Sequence, residues 1–201
     1  MKIFAYEFIT GGGLAGEPLP PGLAREGELM AGALARDLGD VPGVEVWMSR
    51  DPRLPPLAGV RTLRPAADET PLAAYRRMIR DCDAAWPVAP ETGGVLEALS
   101  RATLECGKAL LGPRPAAVAI AASKRATAAL LASRGIAAAP AFRDGEPLPD
   151  IPGRWVVKPD DGAGSTDTFL WPDRARAAEW LAARGPGFIA QPWIEGDALS
   201  L

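Results

Sequence analysis

The chain of 201 residues contains no histidine. That absence excludes a Ser-His-Asp triad, a Cys-His pair and any histidine-based metal site. Acid–base chemistry near neutral pH would fall to carboxylates, lysines or cysteines in perturbed surroundings. Reactions driven by positioning and charge neutralisation, phosphoryl transfer above all, stay open. Cysteine is scarce as well. Cys82 and Cys106 are the only two and form no CxxC pair, a pattern that suits packing thiols in a reducing cytoplasm better than a disulfide. No apolar run is long enough to read as a signal peptide or to span a bilayer, so no membrane is expected as partner. Nor is there a basic block: 22 Lys and Arg are interspersed with 25 Asp and Glu for a net charge of −3, which argues against nucleic acid. A Walker A sequence is also missing, so a P-loop NTPase has no support.

What is present points to a packed α/β protein. The hydrophobic fraction of 48% is ample for a core. Lys2 to Phe8 reads as a first strand ending in a glycine run. A helix is expected from about Leu23 to Leu38, with Leu23, Gly27, Met30, Leu34 and Leu38 on its inner stripe. Strands follow at Val44 to Met48 and Val60 to Leu63. Thr70 has the character of an N-cap, with Pro71 at the first helical position and Leu72, Tyr75, Met78, Ile79 and Cys82 turned inward. Ala84 to Val88 reads as a strand, Val95 to Cys106 as a helix closed by Gly107, and Lys108 to Leu111 as a last strand. Strands alternating with helices imply a mostly parallel sheet covered on both faces, forming a domain over residues 1–112.

A second domain is expected over residues 113–201. Alanine-rich helical sequence runs from Pro115 to Arg134, where Gly135 supplies a C′ residue. Short strands are expected at Ala138 to Phe142, Arg154 to Lys158, Thr168 to Trp171 and Gly187 to Gln191, with a helix from Pro172 through Ala183. Trp155, Trp171 and Trp180 read as packing residues.

The chemistry concentrates around Lys158. A lysine closing the apolar strand Val156-Val157-Lys158 must aim its ammonium at something, since burying it unpaired is costly. The loop that follows, Asp160 to Thr166, offers Gly162, Gly164, Ser165 and Thr166, whose backbone N–H groups and hydroxyls can close over phosphate oxygens. A hairpin turn with a snorkelling lysine is the plainer reading of the same residues. Upstream, Lys124, Thr127, Leu131 and Gly135-Ile136 form an ordered series leading into Val156-Val157-Lys158-Pro159 and the glycine loop. Downstream comes Ile189-Ala190-Gln191-Pro192-Trp193-Ile194-Glu195-Gly196.

In that order, these three segments resemble the ATP-grasp superfamily. The resemblance implies an α/β fold: a parallel-sheet pre-ATP-grasp domain followed by the first, α+β, lobe of an ATP-grasp domain. It further implies ATP as cofactor, with Lys124 and Lys158 on the phosphates, Gly162, Gly164, Ser165 and Thr166 covering them, and Gln191, Trp193 and Ile194 at the hinge that holds adenine. Ser123 and Gln191 stand where the family often has acids, and Ala198 where many members carry a ribose-binding acid, a role Asp197 is placed to take. The magnesium (Mg2+) ligands belong to the family's second lobe, so a chain ending at Leu201 reads as C-terminally truncated and is expected to be inactive alone.

Within the superfamily, Tyr6-Glu7-Phe8-Ile9-Thr10-Gly11-Gly12-Gly13 and Ala89-Pro90-Glu91-Thr92 look similar to tyramine–glutamate ligases of methanofuran biosynthesis and their bacterial relatives. Glu7, Gly11, Gly12, Gly13, Glu91 and Thr92 are therefore expected to meet a small-molecule carboxylate or amine substrate, at the C-terminal ends of parallel strands. Tight turns and a helix start are the competing reading. The resemblance implies a carboxylate–amine ligase working through an acyl phosphate, and it leaves a homodimer open. Two alternatives remain: a nucleotide- or amino-acid-binding module, or one subunit of a split ligase. A dinucleotide-binding fold is disfavoured, because Pro18, Pro20 and Pro21 keep a helix from starting at the last glycine of Gly11-x-Gly13-x-x-Gly16.

Overall fold

The computed structural model describes residues 1–162 and 164–197. The chain divides into two compact units, Met1–Val118 and Ala119–Leu201.

The first unit is built on five strands, β1 (Lys2–Glu7), β2 (Glu45–Ser49), β3 (Arg61–Leu63), β4 (Ala84–Val88) and β5 (Ala109–Leu110), in spatial order β3-β2-β1-β4-β5. Every pairing is parallel, with Ile3 opposite Val46 on one side and Ala84 on the other. The central strand reads as an unbroken apolar run because both of its faces are covered: Ile3, Phe4, Ala5 and Tyr6 are all buried. On one face Phe4, Tyr6, Trp47 and Ala85 pack against α2 (Pro71–Met78) and α3 (Val95–Glu105) through Tyr75, Met78, Leu99 and Ala102. On the other, Ile3, Ala5, Val46 and Met48 meet Ala31 and Leu38 of α1 (Pro21–Gly39).

Local chemistry sets the helix ends. Thr70 Oγ1 accepts from the Ala73 amide at 3.3 Å, with Pro71 at the first helical position. Gly107, at φ 70°, stops α3. The inner stripe of α1 is the expected one in part. Gly27 and Leu38 are buried and Leu34 packs on the core, but Leu23 and Met30 are exposed and Ala31 is buried in their place. The helix is rotated so that Gly27 faces β1: a Cβ there would stand 2.5 Å from Glu7 Oε2. Cys82 and Cys106 are free thiols, and burial pushes the Cys82 thiol up to about 11.

The second unit places α6 (Arg174–Arg184) on one face of a three-stranded antiparallel sheet, β7 (Phe169–Trp171), β6 (Trp155–Pro159) and β8 (Phe188–Pro192), in order β7-β6-β8. Trp155, Val157 and Ala190 pack on Ala177 and Leu181, with Trp171 and Trp180 beside them. Arg184 lies 4.3 Å from the Trp180 ring.

Three local expectations are corrected here. The helical run does not continue from Pro115 to Arg134. It breaks at Ser123 into α4 (Pro115–Ala122) and α5 (Lys124–Ser133), because the Ser123 hydroxyl accepts from the Ala126 amide at 3.0 Å and starts a new helix. Ala138 to Phe142 forms no strand; Phe142 makes a single bridge to Ala190, and Pro140 has no amide to extend it. Finally, α6 starts at Arg174 behind an Asp173 cap rather than at Pro172. Among the described residues, no single helix is long and apolar enough to cross a membrane.

Candidate functional site

Strand alternation decides where Lys158 points. Trp155 and Val157 face α6, so Val156 and Lys158 lie on the opposite face of the sheet, with Leu170 and Gln191 opposite Val156 and Ile189 opposite Lys158. Lys158 is half-buried, and among the described residues no hydrogen-bond acceptor or carboxylate pairs with its ammonium. Burial first, and the nearby Lys124 charge second, hold it below the usual lysine range.

Lys124 reaches the same place from the first residue of α5. Its Nζ donates to the carbonyls of Pro159 at 2.9 Å, Asp160 at 3.2 Å and Gly162 at 2.9 Å. The loop after β6 turns through left-handed conformations at Gly162 (φ 112°), Gly164 (φ 68°), Ser165 (φ 57°) and Asp167 (φ 50°). Lys124, Lys158, Gly162, Gly164, Ser165 and Thr166 together line a cavity of about 230 Å³. The structure thus brings six of the nine expected nucleotide contacts into one place. Ala163, also in this loop, lies outside the described residues.

A neighbouring cavity of about 290 Å³ also includes Lys124 and is walled by Thr127, Ala128, Leu131, Ala139 and Gln191. Here the Gln191 amide donates to the Ala139 carbonyl at 3.0 Å. Trp193 and Ile194 line neither cavity. Both are exposed beyond the end of β8, where the Trp193 amide donates to the Arg154 carbonyl at 2.9 Å and its ring lies 5.3 Å from the Arg154 guanidinium. Asp197 is exposed as well, and Ala198 lies outside the described residues.

In the first unit the expected substrate residues are dispersed in role. Glu7 is buried, and its carboxylate accepts from the Ile9 amide at 3.0 Å, the Thr10 amide at 2.7 Å and the Thr10 hydroxyl at 2.6 Å. It fastens the turn that follows β1. The three glycines of that turn are required by packing: an added Cβ would stand 2.9 Å from Tyr6 at Gly11, 2.6 Å from Pro65 at Gly12 and 2.4 Å from Phe8 at Gly13. Of these, Gly12 lines an open cavity of about 550 Å³ with Gly16, Glu17, Asp51, Arg53 and Pro65, at the C-terminal ends of β1, β2 and β3. Glu91 and Thr92 follow β4, are exposed, and lie outside that cavity's lining.

Two acidic residues of structural weight were not singled out from the sequence. Asp51 is buried and binds Arg53 through both carboxylate oxygens at 2.8 and 2.6 Å, which holds its carboxyl below the usual range. Asp160 accepts from the Ser123 hydroxyl and the Arg125 amide, each at 2.8 Å. Asp160 does lie directly behind the Lys158-Pro159 pair in the sequence. Among the described residues, no group of three or more metal-ligating side chains could hold a metal ion.

Comparison with known proteins agrees with these two units. Residues 44–118 match the pre ATP-grasp 3 domain and residues 121–201 match the ATP-grasp domain. No curated protein matches the chain at a significant level. Among solved structures, an ATP-grasp superfamily protein from Archaeoglobus fulgidus shares the fold over 98% of this chain and 54% of its own, with 21% identity and a TM-score of 0.66. D-alanine–D-alanine ligase from Bacillus anthracis does so over 98% and 58%, with 15% identity and a TM-score of 0.60. For L-amino acid ligase from Bacillus licheniformis the shares are 97% and 44%, the identity 15% and the TM-score 0.56. The chain therefore spans about half the length of these proteins, and at such identities the likeness is one of fold. It carries a pre-ATP-grasp domain followed by the first lobe of an ATP-grasp domain.

Proposed function

We propose that this chain contributes the nucleotide-gripping half of an ATP-dependent carboxylate–amine ligase. A carboxylate oxygen would take the γ-phosphoryl group of ATP, giving an acyl phosphate and ADP. An amine nitrogen would then attack the acyl carbon, phosphate would leave, and the nitrogen would lose a proton to give the amide. The observation that carries this reading is Lys158: a half-buried cation beside a second cation and a glycine-rich loop, in a cavity that Asp161 also lines, with no ion pair or hydrogen bond to its ammonium among the described residues. Such a site is electrostatically suited to a polyphosphate.

In this reading Lys158 neutralises phosphate charge, with Lys124 adding to the local field. Gly162, Gly164, Ser165 and Thr166 cover the phosphates. The apolar cavity beside Gln191 is the place for the base, and Trp193 and Ile194 flank it only if the segment after β8 folds toward it. The magnesium ion that the resemblance implies has no ligand set among the described residues, and no step is assigned through it. Since the chain covers about half of each of these three structures, we infer that it binds ATP without turning it over.

The finer assignment, to tyramine–glutamate-type chemistry, rests on the sequence resemblance of the Tyr6–Gly13 and Ala89–Thr92 segments, and a reducing cytoplasm on the scarcity of cysteine. The test is calorimetric titration of ATP and of adenosine, with amide exchange mapped on the same samples. ATP is expected to bind and to protect residues 158–166, and adenosine to bind more weakly. Absence of ATP binding, or protection elsewhere, overturns the reading.

A further inference from the structure

Asp160 uses every polar atom it has. Its amide donates to the Gly187 carbonyl at 2.8 Å, tying the end of β6 to the approach to β8. Its carbonyl accepts from the Lys124 amide at 3.0 Å and from Lys124 Nζ at 3.2 Å. Its two carboxylate oxygens take the Arg125 amide and the Ser123 hydroxyl, each at 2.8 Å, and Arg143 approaches one of them at 3.9 Å. The Ser123 oxygen, so oriented, is the cap of α5. A carboxylate at a helix start also meets the positive end of the helix dipole.

The consequence falls on Lys124. An ammonium has three donors, and this one directs them at three loop carbonyls, those of Pro159, Asp160 and Gly162. Placing it there sets two like charges side by side, since Lys124 and Lys158 repel enough to perturb Lys158. The three loop carbonyls hold the ammonium itself, and the Asp160 carboxylate holds the helix start that carries it, through the Ser123 hydroxyl and the Arg125 amide.

We propose that Asp160 is a positioning residue of the phosphate site, holding Lys124 and the glycine loop in register with Lys158. It touches no phosphate in this role. The assignment rests on the nucleotide reading of the same cavity, and it adds to that reading a residue the lysine motifs do not include. The alternative is that Asp160 merely stabilises the sheet, in which case its loss would loosen β6 and β8 throughout.

The experiment compares Asp160→Ala, Asp160→Asn and Ser123→Ala with the unaltered 201-residue chain. In the nucleotide-free chain, Asp160→Ala is expected to speed amide exchange of the first turn of α5 and of Gly164–Thr166 by about 2- to 30-fold, the range for losing a helix-capping acceptor. Exchange in the paired strands should stay unchanged. The Lys158 ammonium, followed by NMR, should titrate at higher pH once Lys124 is released. ATP affinity should fall by about the same 2- to 30-fold and adenosine affinity should hold. Asp160→Asn, whose amide oxygen still accepts from the Arg125 amide, should recover most of both effects.

Unchanged loop exchange and unchanged ATP affinity in Asp160→Ala overturn the proposal, as does acceleration spread evenly over the strands. Should Asp160→Ala fail to fold, Ser123→Ala removes two bonds of the network, the one to Asp160 and the cap bond from the Ala126 amide, and is read in the same way. If the unaltered chain does not bind ATP, the nucleotide reading fails on its own. The exchange and Lys158 titration data, taken without nucleotide, still decide the role of Asp160.

Discussion

Lys158→Met should move stability and nucleotide affinity in opposite directions, and the structure sets both signs. Methionine keeps the length and the apolar stem of lysine but removes the charge. In the nucleotide-free chain that charge is a liability: it is half-buried, lacks an assigned anion, and faces Lys124. A lysine whose folded-state value is depressed binds fewer protons folded than unfolded, so stability rises with pH across the interval between the two values. The penalty is complete below the folded value and gone above the ordinary value of 10.5. The methionine variant should therefore melt at a higher temperature than the unaltered chain at pH 7, and the advantage should shrink as pH approaches that ordinary value. ATP binding should respond the other way. One charge-assisted contact is worth about 1.5–3 kcal/mol, so affinity should fall by about ten- to 150-fold. Raising the salt concentration should weaken ATP binding by the unaltered chain more than by the variant. Thermal melts at pH 7 and pH 10, with calorimetry at matched ionic strength, read all of this. A variant that melts lower and binds ATP as before would refute the reasoning: Lys158 would then be a stabilising surface lysine beside an ordinary turn.

Two further perturbations test the packing around the first sheet. Gly27→Ala reverses the usual rule that alanine favours a helix, because its Cβ would press to 2.5 Å on the Glu7 carboxylate that fastens the turn after β1. A loss of about 1–3 kcal/mol is expected in denaturant unfolding. Gly32→Ala, on the same helix with open space around it, should gain about 0.4–1 kcal/mol. The cysteines should differ in reactivity. Burial raises the Cys82 thiol to about 11, whereas Cys106 is partly exposed, so alkylation of the native chain at pH 8 should mark Cys106 first. Peptide mass spectrometry reads the order, and early labelling of Cys82 would show that the α2–α3 side of the core opens readily.

Much of the first unit was legible because its signals are local or nearly so. β1 is marked by the glycine run that ends Lys2 to Phe8, although its alternation in character does not carry over to burial, since Ile3 to Tyr6 are all buried, and Thr70-Pro71 marks a helix start by cap chemistry alone. The inner face of α1 was legible in part: Gly27, Leu34 and Leu38 of the expected stripe do turn inward, but Leu23 and Met30, larger and more apolar than Ala31, are exposed and Ala31 is buried instead. The rotation is decided by Glu7, twenty positions earlier in the sequence, whose carboxylate leaves room for a glycine and nothing larger. The glycines after β1 show the same limit in another form. Their spacing marks them as unusual, yet their immediate physical reason is contact with Tyr6, Pro65 and Phe8.

The second unit divides in the same way. Lys158 could be found because a charge closing a buried strand is anomalous wherever it occurs. The break at Ser123 could not, since Pro115 to Arg134 reads as one continuous helical stretch and serine is tolerated within it. Ser123 is a cap through the Ala126 amide, and its hydroxyl also donates to the Asp160 carboxylate across the sheet-end loop at 2.8 Å, a partner that local sequence does not reveal. That break is what sets Lys124 at the head of a helix instead of in the middle of one. Had the helix run on, residue 124 would present its side chain one turn among several, with its amide bonded inside the helix and unavailable to the Asp160 carbonyl. The lysine motif is therefore a property of two segments read together: its spacing identifies the residue, and the loop carbonyls of Pro159, Asp160 and Gly162 give its ammonium its direction.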